Sequence, residues 1–210
     1  CCTVLEQHNA WLTLAEVTLL QLILFNRRRC GEVSKMLVSA ASKASAVPMN
    51  HQDLLQHLSP LEVKLCSVLS RTEIPGKRGN RVPVLLTSLF GSQLRCLLDK
   101  RQVAGISDAN QFVFARPNSM GHLSGCTLMR KYSAQCGAQS PETLRSTSLR
   151  KHIATLSQVL NLQKNELDIL AQFLGHDIRV HREYYRLPSN ILQTAKVAKI
   201  LMAFENGDCL

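Results

Sequence analysis

The chain has 210 residues, enough for one domain with a real hydrophobic core, and 45% apolar against 19% charged residues is ordinary globular composition. The net charge of +10 is not ordinary: it predicts attraction to a polyanion, nucleic acid first and an anionic membrane surface second. Eight cysteines in a chain this long do not read as a disulfide scaffold, and no signal peptide is visible, so reduced thiols in the nucleus or cytoplasm are expected. Cys30, Cys66, Cys96 and Cys126 read as small hydrophobes in apolar or helical settings. Beginning on Cys1, the chain reads as a segment of something longer.

In chain order, Leu12 to about Arg28 predicts a buried helix, with Leu14, Val17, Leu20, Leu22 and Leu24 supplying much of its apolar surface. The apolar run Trp11–Phe25 is interrupted by Thr13, Glu16, Thr18 and Gln21 and reads as too short to span a bilayer. A break at Gly31 precedes a short helical run to Met36, and the small polar residues 39–50 read as loop. Ser59-Pro60-Leu61-Glu62 is a helix start, with serine as cap, proline in the first turn and glutamate at the third position. Residues 71–74, the basic turn 75–80 and residues 81–86 read as strand, turn and strand. A helix follows Thr87 or Ser88 to about Arg101, and a short strand is expected near 111–115. Helices are then predicted at about 122–135, 143–159, 163–173, 177–186 and 188–205. The expected class is α+β, mostly α-helical, with a small antiparallel sheet.

Four segments carry chemistry. Arg29 is followed three residues later by Glu32, directly after the long apolar helix. Lys77 and Arg78 lie in the basic turn, ahead of Arg81-Val82-Pro83. Arg150 opens Arg150-Lys151-His152-Ile153-Ala154-Thr155, and Leu174-Gly175-His176 precedes Tyr185 by the nine residues that separate His176 from it. In this order and spacing the boxes resemble the catalytic domain of the tyrosine recombinases, the phage integrase family, over about residues 10–190. The wording around Arg150 and His176 is most similar to eukaryotic, Crypton-like mobile-element recombinases.

The resemblance implies a catalytic domain over 1–187, a C-terminal amphipathic helix and tail over 188–210, and an N-terminal DNA-clamping domain outside this chain. It implies that the Tyr185 oxygen attacks a DNA phosphate in line, leaving a 3′-phosphotyrosine and a free 5′-hydroxyl without metal, nucleotide or other cofactor. Arg29 and Arg150 would hold the non-bridging oxygens, where charge grows in the transition state. Lys77 would protonate the leaving oxygen and His176 would donate a further hydrogen bond. Arg28, Arg78, Arg81 and Lys151 are the expected DNA-backbone contacts. The implied partner is double-stranded DNA, bound as a homo-tetramer, with no membrane or small-molecule substrate. The implied location is intracellular, nuclear in a eukaryote and otherwise cytoplasmic.

One position departs from the family. Three residues before the second arginine the family has histidine or lysine, and here stands Thr147. A hydroxyl donates a hydrogen bond but does not act as a base near neutral pH. His181, one helical turn before Tyr185, is the candidate substitute.

Blander readings stand beside each residue: Arg29 as a helix C-terminal partner, Lys77 and Arg78 as charges guarding a sheet edge, Tyr184 as core, and Cys126 and Cys136 as structural thiols with His122 and His152 as surface histidines rather than a zinc site. For the whole chain the alternatives are a DNA-binding protein that keeps the fold without cleavage, and a type IB topoisomerase.

Overall fold

The computed structural model describes residues 2–46, 56, 58–76, 79–159 and 164–175. Helices α1 (Cys2–Asn26), α2 (Cys30–Ser34) and α3 (Val38–Ser42) lead to strand β1 (Ser45–Ala46). Helix α4 (Pro60–Val68), strands β2 (Ser70–Pro75) and β3 (Arg81–Leu86), and helix α5 (Ser88–Asp99) follow. Helices α6 (Gly125–Gln135), α7 (Ser146–Val159) and α8 (Lys164–Leu174) complete the described chain, with one 3-10 turn at Pro141–Thr143. The chain divides into two compact units, Cys1–Leu149 and Arg150–Leu210. The expected mostly helical α+β class with a small antiparallel sheet is what the described residues adopt.

In the first unit, α1 is the central helix. Its buried positions Trp11, Ala15, Thr18, Leu19, Leu22, Ile23 and Asn26 recur at three- and four-residue spacing, which places them on one face. Of the residues expected to carry that face, Leu20 and Leu22 are buried, Leu14 and Val17 are half-buried and Leu24 is exposed. A helix apolar nearly all round does not announce its phase, and packing chose it.

The polar residues inside this apolar run have partners that explain them. Glu16 accepts hydrogen bonds from Lys131 Nζ at 2.9 Å and Tyr132 Oη at 2.8 Å, fastening α1 to α6. Gln21 Oε1 accepts from Gln93 Nε2 of α5 at 3.2 Å, and Trp11 Nε1 donates to the Leu97 carbonyl at 2.9 Å. The bilayer expectation needs correction on length, because Gln7–Asn26 is long and apolar enough to cross a membrane by length and composition. The burial of Trp11, Leu19, Leu22 and Ile23 against Val33, Ile74, Leu97 and Phe114 identifies it as a core helix.

Cap chemistry marks the helix starts legibly. Ser59 and Glu62 form a reciprocal capping box, Ser59 N donating to Glu62 Oε2 at 2.7 Å and Glu62 N to Ser59 Oγ at 3.3 Å. Thr87 Oγ1 caps α5 through Phe90 N, and Ser124 Oγ caps α6 through Thr127 N.

The sheet has three strands in the order β1-β2-β3, all antiparallel, with Ser70 opposite Leu86 and Pro75 opposite Arg81. Thr72, Ile74, Val82, Val84 and Leu86 point into the core. Strand β1 and helix α3 lie where a loop was expected over 39–50. Two residues of strand and five of helix, made of serine, alanine and valine, are too short to show a period. The strand expected near 111–115 is not a strand but two isolated bridges, Leu37 to Phe112 and Ala115 to His122. Side chains hold this segment instead: Arg101 donates to the Asn110 and Phe112 carbonyls, and Asn110 Nδ2 donates to the carbonyls of Ser119 and Gly121, each at 2.9 Å.

In the second unit, Ala154 and Ser157 of α7 and Ala171 and Leu174 of α8 are buried. The helices expected at 177–186 and 188–205 lie outside the described residues.

Candidate active site

Helix α1 ends because Arg27 takes a left-handed conformation, φ 50°, which lets Arg28 N donate to the Ile23 carbonyl at 3.2 Å. The chain then turns, and Arg29 becomes the extended N-cap residue of α2, φ −67° and ψ 133°. Its side chain is 40% exposed, with Glu32 Oε1 at 3.7 Å from Nη1. That separation is longer than a hydrogen bond, so Glu32 steers the cation without occupying its donors. The helix C-terminal role weighed for Arg29 is not what the structure shows, since Arg29 stands at a helix start.

Three consecutive arginines thus take three different environments. Arg28, expected to face a DNA backbone, is corrected: it is 1% exposed, and its Nε and Nη2 donate to the Pro83 carbonyl at 3.0 and 2.6 Å. Asn26 works beside it, Nδ2 donating to the Leu85 carbonyl at 3.0 Å and Oδ1 accepting from Leu85 N at 2.8 Å. Strand β3 is a sheet edge, and an edge leaves alternate backbone groups unpaired. Asn26 matches a residue offering both a donor and an acceptor, and Arg28 matches a proline that offers only an acceptor. Two side chains therefore take the place of a fourth strand and fix the Arg29 turn to β3. Sequence reasoning missed both residues as positioning groups; the only signal was a buried-helix terminus carrying Asn and Arg.

The strands flanking the basic turn are described, and Arg81 is exposed at the start of β3. Lys77 and Arg78 lie outside the described residues.

In the second unit, Arg150 is 5% exposed and its Nη2 donates to the Leu174 carbonyl at 2.6 Å. Leu174 closes α8, and Gly175 follows at φ 65°, the left-handed conformation that glycine adopts without a Cβ penalty. The second-box arginine is thereby bonded to the turn that leads directly to His176. Lys151 and His152 are exposed. Thr147 is exposed in the first turn of α7. His176, His181 and Tyr185 lie outside the described residues.

Among the cysteines, Cys30 is buried, Cys66 and Cys96 are half-buried, and Cys126 and Cys136 are exposed, so Cys126 has the helical setting expected of it but not the burial of a small hydrophobe. Gly125 comes so close to α2 that a Cβ there would lie 3.3 Å from Cys30 Cβ and 2.8 Å from Ile23 Cδ1. Burial pushes the Cys30 thiol from 9.0 up to about 11, the Ser146 hydroxyl opposing the rise and the neighbouring Cys126 adding to it. A thiol raised in the folded state stabilises the fold fully below pH 9 and loses that contribution as pH rises through about 11. Cys30→Ala is expected to flatten the fall of melting temperature between pH 9 and about 11, read by thermal unfolding at several pH values. Identical pH profiles for the two proteins would contradict this. Among the described residues no three His, Cys, Asp or Glu side chains are grouped to hold a metal ion.

The sequence matches no protein-family profile and no curated protein at a significant level. Solved structures do match. The XerH site-specific recombinase bound to difH substrate, a pre-cleavage complex, aligns with TM-score 0.57 at 17% identity, covering 92% of this chain and 50% of that one. XerH on a palindromic difH substrate, a post-cleavage complex, gives TM-score 0.60 at 17% identity over 95% of this chain and 50% of that one. XerA recombinase gives 0.52 at 14% identity, covering 92% and 63%. The fold is that of a tyrosine recombinase catalytic domain. The chain spans about half the length of the XerH chains it matches.

Proposed function

We propose that this chain is a DNA strand-transferase, cleaving and rejoining double-stranded DNA through a 3′-phosphotyrosyl link at Tyr185 in site-specific recombination or integration. The observation that carries the reading is the coincidence of a recombinase catalytic fold over 92–95% of the chain with four boxes in family order. On this reading Arg29 and Arg150 clamp the scissile phosphate, Lys77 protonates the leaving 5′-oxygen, and His176 bonds a non-bridging oxygen. Arg78, Arg81 and Lys151 face the DNA backbone. The protein works inside the cell, in the nucleus if its host is a eukaryote and otherwise in the cytoplasm, as a homo-tetramer on DNA, and the Crypton-like wording of the second and third boxes supports a mobile-element origin.

Thr147 favours a second reading, a host-adopted DNA-binding protein that has lost cleavage. A threonine hydroxyl leaves the proton of Tyr185 to His181 or to water. A nicked suicide duplex carrying the cognate site distinguishes the two. The strand-transferase accumulates a covalent protein–DNA adduct that Tyr185→Phe abolishes. Salt-dependent binding with no adduct from either protein establishes the second reading. Relaxation of supercoiled plasmid at random sites by a monomer points to the topoisomerase alternative.

A further inference from the structure

The outward face of the sheet carries charge that the proposed cleavage chemistry does not use. A cleft of about 470 Å³ opens beside β2, lined among others by Lys43, Ser45, Arg71, Glu73, Gly79 and Arg81. Arg71 and Glu73 alternate with buried Thr72 and Ile74 along β2, so both point away from the core. Arg81 stands opposite Pro75 and Ser45 opposite Arg71, which puts residues from all three strands on this face. Lys43 ends helix α3 just before β1. Three cations and one carboxylate therefore line a cleft whose remaining wall mixes apolar Leu37, Ala40, Ile74 and Pro75 with the hydroxyls of Ser39, Ser45 and Thr72.

The carboxylate has a specific place. Glu73 Oε1 accepts from Arg71 Nη2 at 2.9 Å, and the two side chains are 38% and 46% exposed. An ion pair this open to water contributes little to stability, so folding does not account for it. Its strand position, two residues from its partner on the same face, does hold the Arg71 guanidinium down along the sheet.

We propose that this cleft is a DNA-backbone groove in which Lys43, Arg71 and Arg81 contact successive phosphates, and that Glu73 holds Arg71 until a phosphate displaces it. The inference rests on the DNA reading above and extends it to two cations, Lys43 and Arg71, and to a carboxylate that tempers binding. A guanidinium suits the exchange, because its fork pairs with a phosphate as readily as with a carboxylate. Glu73 costs affinity by repelling the same phosphates, which makes its removal a gain.

The test uses the full chain and a fluorescently labelled duplex, with anisotropy measured across a salt series. Each of Lys43→Gln, Arg71→Gln and Arg81→Gln is expected to reduce the slope of log K against log salt by about 0.9, one phosphate contact apiece. Glu73→Gln is expected to tighten binding roughly three- to tenfold at low salt, as loss of one nearby like charge does. That gain should shrink in the Arg71→Gln background. Lys100→Gln, exposed and not among the lining residues, is the control and should leave the slope unchanged. Wild-type slopes in all three cation variants, or weaker binding by Glu73→Gln, overturn the groove. A wild-type protein that binds duplex without salt dependence overturns the DNA reading itself, and the groove with it. All four positions are solvent-facing, and unchanged thermal unfolding of Glu73→Gln confirms that a binding change is not a folding change.

Discussion

Arg28→Ala is expected to destabilise the first unit by about 2–4 kcal/mol, while Arg29→Ala, one residue on, leaves stability within about 0.5 kcal/mol of wild type. Arg28 is 1% exposed and gives two hydrogen bonds to the Pro83 carbonyl. Its removal strands that carbonyl at the sheet edge and opens a void where the largest fully buried side chain among the described residues lay. A charged donor contributes about twice what a neutral one does, which sets the upper end of the range. Arg28→Lys should recover only part of the loss, since an ammonium lacks the fork that spans one carbonyl with two N–H groups.

Urea unfolding of the three variants reads the difference directly. Arg29 carries no comparable structural bond, its nearest carboxylate being 3.7 Å away. On the strand-transferase reading its loss appears instead in adduct formation. Equal stability for wild type and Arg28→Ala, with a reduced salt slope for DNA binding, would restore Arg28 as a surface phosphate contact.

Arg150→Ala is expected to carry both kinds of cost. The buried guanidinium donates to the Leu174 carbonyl at 2.6 Å, so truncation leaves a buried acceptor unmet and lowers stability by about 1–3 kcal/mol. On the strand-transferase reading it also removes a donor aimed at transition-state charge, a loss of about 10²–10³-fold in the rate of adduct formation. Single-turnover cleavage of the suicide duplex, compared with urea unfolding of the same samples, separates the two effects. Arg150→Lys refines the comparison: it keeps a positive charge and restores some stability, but a point charge does not reproduce bidentate grip on a phosphate. A stability loss with unchanged cleavage would make Arg150 a staple of the Leu174–Gly175 turn and nothing more.

Much of the local structure is legible in the sequence. Ser59 and Glu62 announced the start of α4, and Thr87 announced α5, because a cap is a contact between near neighbours in sequence. The β2–turn–β3 alternation was equally plain, since period two with a proline and two glycines in the turn has few other solutions. The order of the boxes around Arg29, Arg150 and His176 belongs to the same level. What lies at long range was not legible. Nothing near Asn26 or Arg28 indicates that they close the edge of β3, because their partners lie 59 and 55 residues away. Strand β1 was invisible for a related reason: two small residues acquire strand geometry only by pairing with Ser70 and Arg71.

The sequence by itself determined the net charge of +10, the helix starts, the hairpin and the chemical identity of the candidate nucleophile and its cations. Tertiary structure alone decided which of Arg27, Arg28 and Arg29 is structural and which is presented to solvent. Three adjacent arginines are equivalent to any local pattern. They differ only through what surrounds them: a left-handed turn at Arg27, the Pro83 carbonyl at Arg28, and a partly exposed setting with a distant carboxylate at Arg29.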